Sequence, residues 1–341
     1  MSRHKTIDDL ARESRVSVST IDRILSGRGQ VKPSTMEHVL AVAEHIGFYG
    51  VETIRNRLLG DAPERRFGFL LNSRSRLLYS ELAQELTEIV RKTVAVRGHF
   101  VVSHLTDTDP DRAADALVEL GKECDAIACV CIDHPVVSAA ADELARRGIP
   151  VVAMISDISS PARAGFVGAN DHQLGRTAGW FANRLARPGK AVVLVGSERY
   201  TCQQQAEASF RSFLRTQTTA LELLNTKSTE ESDETAERVT LELLKEHSGL
   251  SVLFAAGGGI DGICAGIEKS GRNDITLIGC EMTRSTRSRV TSGEIDVLLV
   301  HPVVEIAHQA VRAMIKVLTT AGPHPAFQSI LPFNVVVSEN C

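Results

Sequence analysis

Residues Thr6–Leu25, TIDDLARESRVSVSTIDRIL, read as two short helices joined by a tight turn. Thr6 followed by Asp9 three positions on has the form of a capping box, and Ile7, Leu10 and Ala11 recur at the spacing of a buried helical face. The first helix is therefore expected to begin at Ile7. Ser14-Arg15-Val16 breaks the pattern, and Ser17 offers an N-cap hydroxyl to a second helix over Val18–Leu25. Ile21, Ile24 and Leu25 turn inward, leaving Val18, Ser19, Asp22 and Arg23 outward. A helix that presents its first residues and an Arg can enter a DNA major groove. The Arg would be bidentate to guanine, with Ser17 and the helix N-terminus against phosphate.

Downstream, Ser26-Gly27-Arg28-Gly29 is a glycine-rich loop, and Pro33 occupies the favoured first position of a third helix reaching about Ile46. Val39, Val42, Ala43 and Ile46 would close a small three-helix core. Over roughly residues 5–50 the pattern TIDDLAxxxxVSxSTIDRILxGRxxVxPxT resembles the DNA-binding headpiece of the LacI/GalR (lac-repressor) family of transcriptional regulators. The resemblance places Val18 and Ser19 at positions that vary with operator sequence and Arg23 at the shared base-contacting position. It places Thr6, Ser17 and Thr35 on phosphate, with Thr20 and Ser26 on the same DNA face. Arg15 departs from the family, which usually has Gly in this turn, so the chain must accept a left-handed residue or shift the turn. The resemblance also implies a hinge helix over 51–65 that wedges a Leu into the minor groove, Leu58 or Leu59. Here Phe48-Tyr49-Gly50-Val51 replaces the family's Tyr-x-Pro-Asn entry, and a plain linker helix is the alternative.

The 341 residues suffice for two or three domains, and 43% hydrophobic with 23% charged residues is ordinary for a soluble globular chain. With no apolar run of about 18 residues, neither a secretory signal nor a membrane span is expected, which points to the cytoplasm. Seven Cys without paired spacing, with Cys129 and Cys131 inside an apolar run, read as buried thiols and not as disulfides or metal ligands. No metal or other cofactor is expected. The net charge of −4 is unevenly spread: residues 1–35 hold seven Lys/Arg against four acids, +3, which leaves −7 for the rest. A basic head on an acidic body suits a chain that meets phosphate at one end.

From Arg66 onward apolar runs alternate with helical patterns, the signature of repeated βαβ units. The first series runs FGFLLN, a helix near 78–97, HFVVSHL, a helix near 110–123, DAIACVCI, a helix near 135–147 and IPVVAMI. After GFVGAND come helices near 172–186, 203–216, 233–247 and 260–270, alternating with KAVVLVG, a strand near 221–224, LSVLFAA and DITLIGC. IDVLLVH, a helix near 303–320 and one strand over SILPFNVVV end the chain. The expected fold class is α/β: a three-helix helix-turn-helix headpiece (1–50), a linker helix (51–65) and two doubly wound parallel-sheet lobes (66–341). Lobe one is expected at 66–168 and 301–326, lobe two at 169–300 and 327–341. This order resembles the type I periplasmic-binding-protein fold, whose chain crosses between lobes three times, here near 168–170, 299–303 and 325–330.

Ligands of open α/β sheets bind outside the carboxyl ends of strands. That rule selects Asn72, Ser73 and Arg74; Asp133 and His134; Ser156 and Asp157; Asn170 and Asp171; Arg199 and Tyr200; Gly257 to Asp261; Glu281; and His301. Such polar residues suit a sugar, polyol or sugar acid. By resemblance, Asn170-Asp171 matches the family's Asp-Asn in reversed order, and His301-Pro302 lies near its Gln-Pro. The family's Arg before a Gly-Phe pair is missing, and Gln203 to Gln205 or Arg199 would substitute. Asp171 reads equally as the cap of the following helix, His301 as a structural hydrogen-bonding residue, and Trp180 as core. Gly257-Gly258-Gly259 lacks the Lys and spacing of a nucleotide loop. No Gly-x-Ser-x-Gly, His-Glu-x-x-His or Cys-x-x-Cys is present, so no enzyme is expected. The reading is a homodimeric regulator on a near-palindromic double-stranded DNA operator, controlled by a small sugar-like effector. The alternatives are a solute-binding protein or a cytosolic α/β enzyme of the same body fold.

Overall fold

Caps decide where the N-terminal helices begin and stop. In the computed structural model, which describes residues 5–60, 62–74, 76–217, 220–320 and 325–341, α1 spans Ile7–Ser14. Thr6 Oγ1 accepts from the Asp9 N–H (3.2 Å) while the Thr6 N–H donates to Asp9 Oδ2 (3.0 Å). Those hydrogen bonds, with the Arg12 guanidinium, hold the Asp9 carboxyl down at about 2. Arg15 does take the left-handed conformation (φ 55°), ending α1 where a Gly would cost less. Ser17 caps α2 (Val18–Ser26), and Gly27 and Gly47, both left-handed, end α2 and α3 (Pro33–Ile46).

A fourth helix, α4 (Val51–Leu59), corrects the expectation of a separate linker. Its Ile54 is fully buried in one cluster with Leu10, Ile21, Ile24, Val39, Ala43 and Phe48, and Leu58 packs on the same cluster. Arg55, buried as well, pairs with Glu44 of α3 and with Glu52 at 2.5 Å. The segment is therefore the headpiece's own fourth helix, held by apolar burial and a buried guanidinium. Asp61 of the expected turn Gly60-Asp61-Ala62-Pro63 lies outside the described residues.

The chain divides into two compact units, 1–65 with 88–99, and 66–87 with 100–341. In order, the remaining elements are β1 (Glu64–Leu71), α5 (Leu77–Lys92), β2 (Arg97–His104), α6 (Pro110–Leu120), β3 (Ala126–Cys129), α7 (Pro135–Arg146), β4 (Val151–Met154) and β5 (Gly165–Ala169). Then follow α8 (Asp171–Leu185), β6 (Gly189–Val195), α9 (Thr201–Thr216), β7 (Leu221–Leu223), β8 (Lys227–Ser228), α10 (Asp233–Glu246), β9 (Leu250–Ala255) and α11 (Ile260–Ser270). The last are β10 (Thr276–Gly279), α12 (Arg284–Ser292), β11 (Val297–Val300), α13 (Val303–Thr319), β12 (Phe327–Leu331) and β13 (Asn334–Val336).

Two sheets result, ordered β12-β5-β4-β3-β1-β2 and β13-β11-β10-β9-β6-β7, with β8 also on β6. Their central strands are buried on both faces and nearly all apolar, as parallel strands covered by helices must be. The chain passes between lobes at Asn170, at His301-Pro302 and at Pro332-Phe333. The third is corrected: Phe327–Leu331 stays in lobe one, parallel to Gly165–Ala169, because the Phe327 ring lies where Gly165 would carry a Cβ. Pro332 then ends the ladder, so the single expected strand is two. β13 runs antiparallel to β11, the one departure from parallel pairing among the described registers.

Candidate DNA-reading helix and ligand cleft

The exposed side of α2 begins at its cap. Ser17 Oγ accepts from the Thr20 N–H (3.2 Å) and lies 2.9 Å from Ser19 Oγ. Val18 is 47% exposed although apolar, and Ser19, Asp22 and Arg23 are exposed with it. Arg23 Nε donates to the Ser19 carbonyl (3.2 Å) and Nη2 to Thr20 Oγ1 (3.3 Å), which lays the guanidinium along the helix. Arg15, Arg28 and Lys32 are exposed on the surrounding turns. Thr6 is exposed but occupied by its capping box, Ser26 Oγ accepts from the Arg28 N–H, and Thr35 is half-buried in the first turn of α3. Leu59 is half-buried at the end of α4.

In the body, the loops after β1, β2, β6 and β8 line a cavity of about 280 Å³ that includes Asn72, Arg76, Thr106, Asp107, Tyr200, Glu230, Glu231 and Asp233. Asn72 Nδ2 donates to the hydroxyls of Tyr79 (3.0 Å) and Tyr200 (2.7 Å), and burial pushes the Tyr200 phenol up. Arg76 reaches across the cleft to pair with both Glu231 and Glu281, and all three side chains are largely buried. Gln203 braces this loop: its Oε1 accepts from the Gly196 N–H (2.7 Å) and its Nε2 donates to Glu231 (2.8 Å). Gly258 has to be Gly, because a Cβ there would meet the Arg76 guanidinium and Glu231. That explains the glycine run without a phosphate.

Arg76, Glu230 and Glu231 were not on the sequence-derived list as ligand contacts, and Gln203, which was offered in place of the family's Arg, braces the loop through Gly196 and Glu231. Arg74, which was on that list, is exposed, and the cleft arginine stands two residues later. Asn170, Asp171 and Gln205 line a separate cavity of about 200 Å³ with Asp157, Thr201 and Gln328. Asn170 is the cap of α8, accepting from the Gln173 N–H (3.0 Å), so the capping role weighed for Asp171 belongs to its neighbour. Asp171 is buried, and burial pushes its carboxyl up to about 7. His301 Nε2 stands 3.9 Å from Asp171 Oδ1, and burial pulls the imidazole down to about 4. Its Nδ1 has no partner.

The other expected contacts are committed within the body. Asp133 accepts from the Ser159 N–H (2.7 Å), and its own N–H donates to the carbonyl of Arg199, whose side chain is exposed. Asp261 accepts from Ser285 Oγ (2.6 Å) and Arg289 Nε (3.1 Å), tying α11 to α12 and not to a ligand. A larger concavity, about 480 Å³, lies between these helices at Cys264, Ile267, Arg272 and Gly293, away from the carboxyl ends of the strands. Trp180 is no core residue: it is 46% exposed on α8, edge-on to Phe181 with the Arg184 guanidinium over it. All seven cysteines are free thiols, six of them buried. Among the described residues no helix is long and apolar enough to cross a membrane.

Residues 6–50 match the model of bacterial regulatory proteins of the lacI family, and residues 86–322 match the periplasmic binding protein domain. Catabolite control protein A of Priestia megaterium is 30% identical over 148 residues, 43% of this chain and 42% of that one. Its counterpart in Staphylococcus xylosus is 28% identical over 148 residues, 43% of each chain. The match thus spans about two fifths of the length of these curated relatives. Among solved structures, an ABC transporter solute binding protein from Agrobacterium vitis bound with alpha-D-tagatopyranose superposes with a TM-score of 0.72 at 16% identity, covering 81% of this chain and 95% of that one. One from Bacillus halodurans with bound myo-inositol gives 0.72 at 15% identity, over 82% and 97%. These likenesses concern the fold. The chain belongs to the periplasmic binding protein domain family, and its residues 6–50 carry the DNA-binding domain of lacI-family bacterial regulatory proteins.

Proposed function

We propose that this chain is a DNA-binding transcriptional regulator, a repressor and not an enzyme, whose grip on an operator is set by a small hydroxylated effector in the body's cleft. The carrying observation is the capped α2 with Val18, Ser19 and Arg23 exposed at its outer side on a headpiece that has its own core. A helix so presented reads base edges, and Thr6, Ser17, Thr20, Ser26 and Thr35 supply hydroxyls for phosphate. One headpiece makes few contacts, so we assign a homodimer on two half-sites of a near-palindrome, acting in the cytoplasm where the DNA is. Insertion of Leu58 or Leu59 into the minor groove requires α4 to leave its packing.

The effector reading rests on the strand-end cleft, where Asn72, Arg76, Tyr200, Glu231 and Glu281 converge from both lobes. Solute binding proteins of this fold hold tagatose and inositol, which supports a polyhydroxyl ligand. Asn170, Asp171 and His301 sit at the crossovers, with Gln205 of α9 on the cavity beside Asn170 and Asp171, where they are placed to respond to lobe closure. The coupling needs a ligand with different affinity for two lobe arrangements, typically ~1–3 kcal/mol. Selection of bound duplexes from a randomised pool, followed by anisotropy titration, tests the reading. A symmetric consensus is expected, and an absence of sequence preference would overturn it.

A further inference from the structure

The three charges that meet in the cleft do not sum to zero. Arg76 brings one positive charge against the carboxylates of Glu231 and Glu281, and the three side chains are only 11%, 9% and 14% exposed. The cleft thus buries one surplus negative charge, which is costly unless a cation joins it. Its surroundings do not supply one. Glu230 and Asp233 line the same cavity, Asp107 is matched by Arg112, and Arg76 is the sole cation among the described lining residues. Arg74 and Arg199 are exposed.

One further observation points to a missing donor, and another shows the acidic loop held in place. Asn72, 6% exposed, keeps its Oδ1 buried at the cavity wall without a hydrogen-bond partner. Glu230 and Glu231 are consecutive left-handed residues (φ 54° and 57°), a strain that persists where a site holds a loop in a working position. The site is therefore rich in acceptors and negative charge, and short of donors.

We propose that the effector is a small hydroxylated organic cation, an amine bearing hydroxyl groups of the amino-sugar or amino-alcohol class. Its ammonium balances Glu231 and Glu281 beside Arg76, and its donors satisfy the Asn72 carbonyl. Sugar acids and sugar phosphates are excluded, because they would add a second anion to a cleft already in surplus. The cavity, near the lower end of the ~300–1,000 Å³ usual for ligand pockets, holds a molecule of monosaccharide size. This deepens the effector reading above and rests on it.

The test uses the full-length protein and three matched probe series: amines (glucosamine, aminopolyols), neutral counterparts (glucose, the parent polyols) and anions (glucuronate, sugar phosphates). Thermal shift and calorimetric titration should show stabilisation by amines alone, with affinity that falls as salt rises. Glu281→Gln should weaken amine binding about tenfold or more and, by removing the surplus charge, raise the melting temperature of the ligand-free protein. Stabilisation by the neutral or anionic series, no response to any amine, or a salt-independent affinity overturns the proposal; the wild-type readings decide even if the variant misfolds. DNA binding is measured in parallel. Intact DNA binding with a failed amine series overturns the ligand class alone, whereas loss of all DNA binding overturns the wider reading.

Discussion

Asp171→Asn should change how the protein's stability depends on pH, in a direction fixed by two buried groups. Burial raises the Asp171 carboxyl from 3.8 to about 7 and lowers the His301 imidazole from 6.5 to about 4. Between about pH 4 and 6.5 the unfolded chain holds one proton on this pair, on His301. The folded chain also holds one, on Asp171, with His301 neutral. Equal proton counts mean that the pair leaves stability flat across that window. With Asn at 171 the folded count drops to zero, so stability rises with pH by ~1.4 kcal/mol per unit, roughly 3 kcal/mol over the window. The raised Asp171 contributes fully below 3.8 and loses its contribution as pH climbs through about 7. Above neutrality the Asn variant should therefore be the more stable form, by up to roughly 4 kcal/mol. Urea unfolding at a series of pH values, followed by the fluorescence of Trp180, the single tryptophan and on the same helix α8, measures both slopes. A flat profile in the Asn variant would mean that His301 is not held neutral. Two rising ones would mean that Asp171 is not held protonated.

Arg23→Ala should weaken operator binding by ~1–3 kcal/mol and relax preference at one base pair per half-site, read by anisotropy on matched and mismatched duplexes; unchanged affinity would move the reading helix elsewhere. Thr35→Ala, by contrast, should weaken all duplexes alike, since a phosphate contact carries no sequence information. Ile54→Ala should destabilise the headpiece by ~2–5 kcal/mol, seen as faster amide exchange through α1 to α4; wild-type protection would show α4 independent of that core. Gly175→Ala should lower the melting temperature, at a cost of ~1–3 kcal/mol, because the new methyl would enter the Ala206 backbone carbonyl where α8 crosses α9.

Local signals made the headpiece legible. Thr6, Ser17, Pro33 and the glycines at 27 and 47 each act within one helical turn, and the helices begin and end where those residues place them. The alternation of apolar runs and amphipathic helices likewise gave the two sheets. What escaped was set by distant partners or by very short elements. β8 is only two residues long, too short for periodicity to register, so the acids after it were not recognised as a strand-end loop. Without that loop nothing distinguished Arg76 from Arg74, since the difference lies in carboxylates more than 150 positions away, at 231 and 281. α12, RSTRSRVTS, has too few apolar residues to show a face and was missed for that reason. Trp180 misled because an aromatic residue within a helix says nothing about which side of the helix is covered.

The packing of α4 has a consequence for how such proteins can be recombined. A cut at residue 50, where the helix-turn-helix pattern stops, would strip Ile54 and Arg55 from the core they complete and leave Glu44 without its guanidinium. The natural seam lies after Leu59, and even there Val94, from the 88–99 segment that clusters with the headpiece, would be lost from its apolar contacts. A chimaera that grafts this headpiece onto another body should therefore carry residues 5–59 and supply an apolar side chain in place of Val94. A graft ending at 50 transfers the reading helix without the scaffold that keeps it folded.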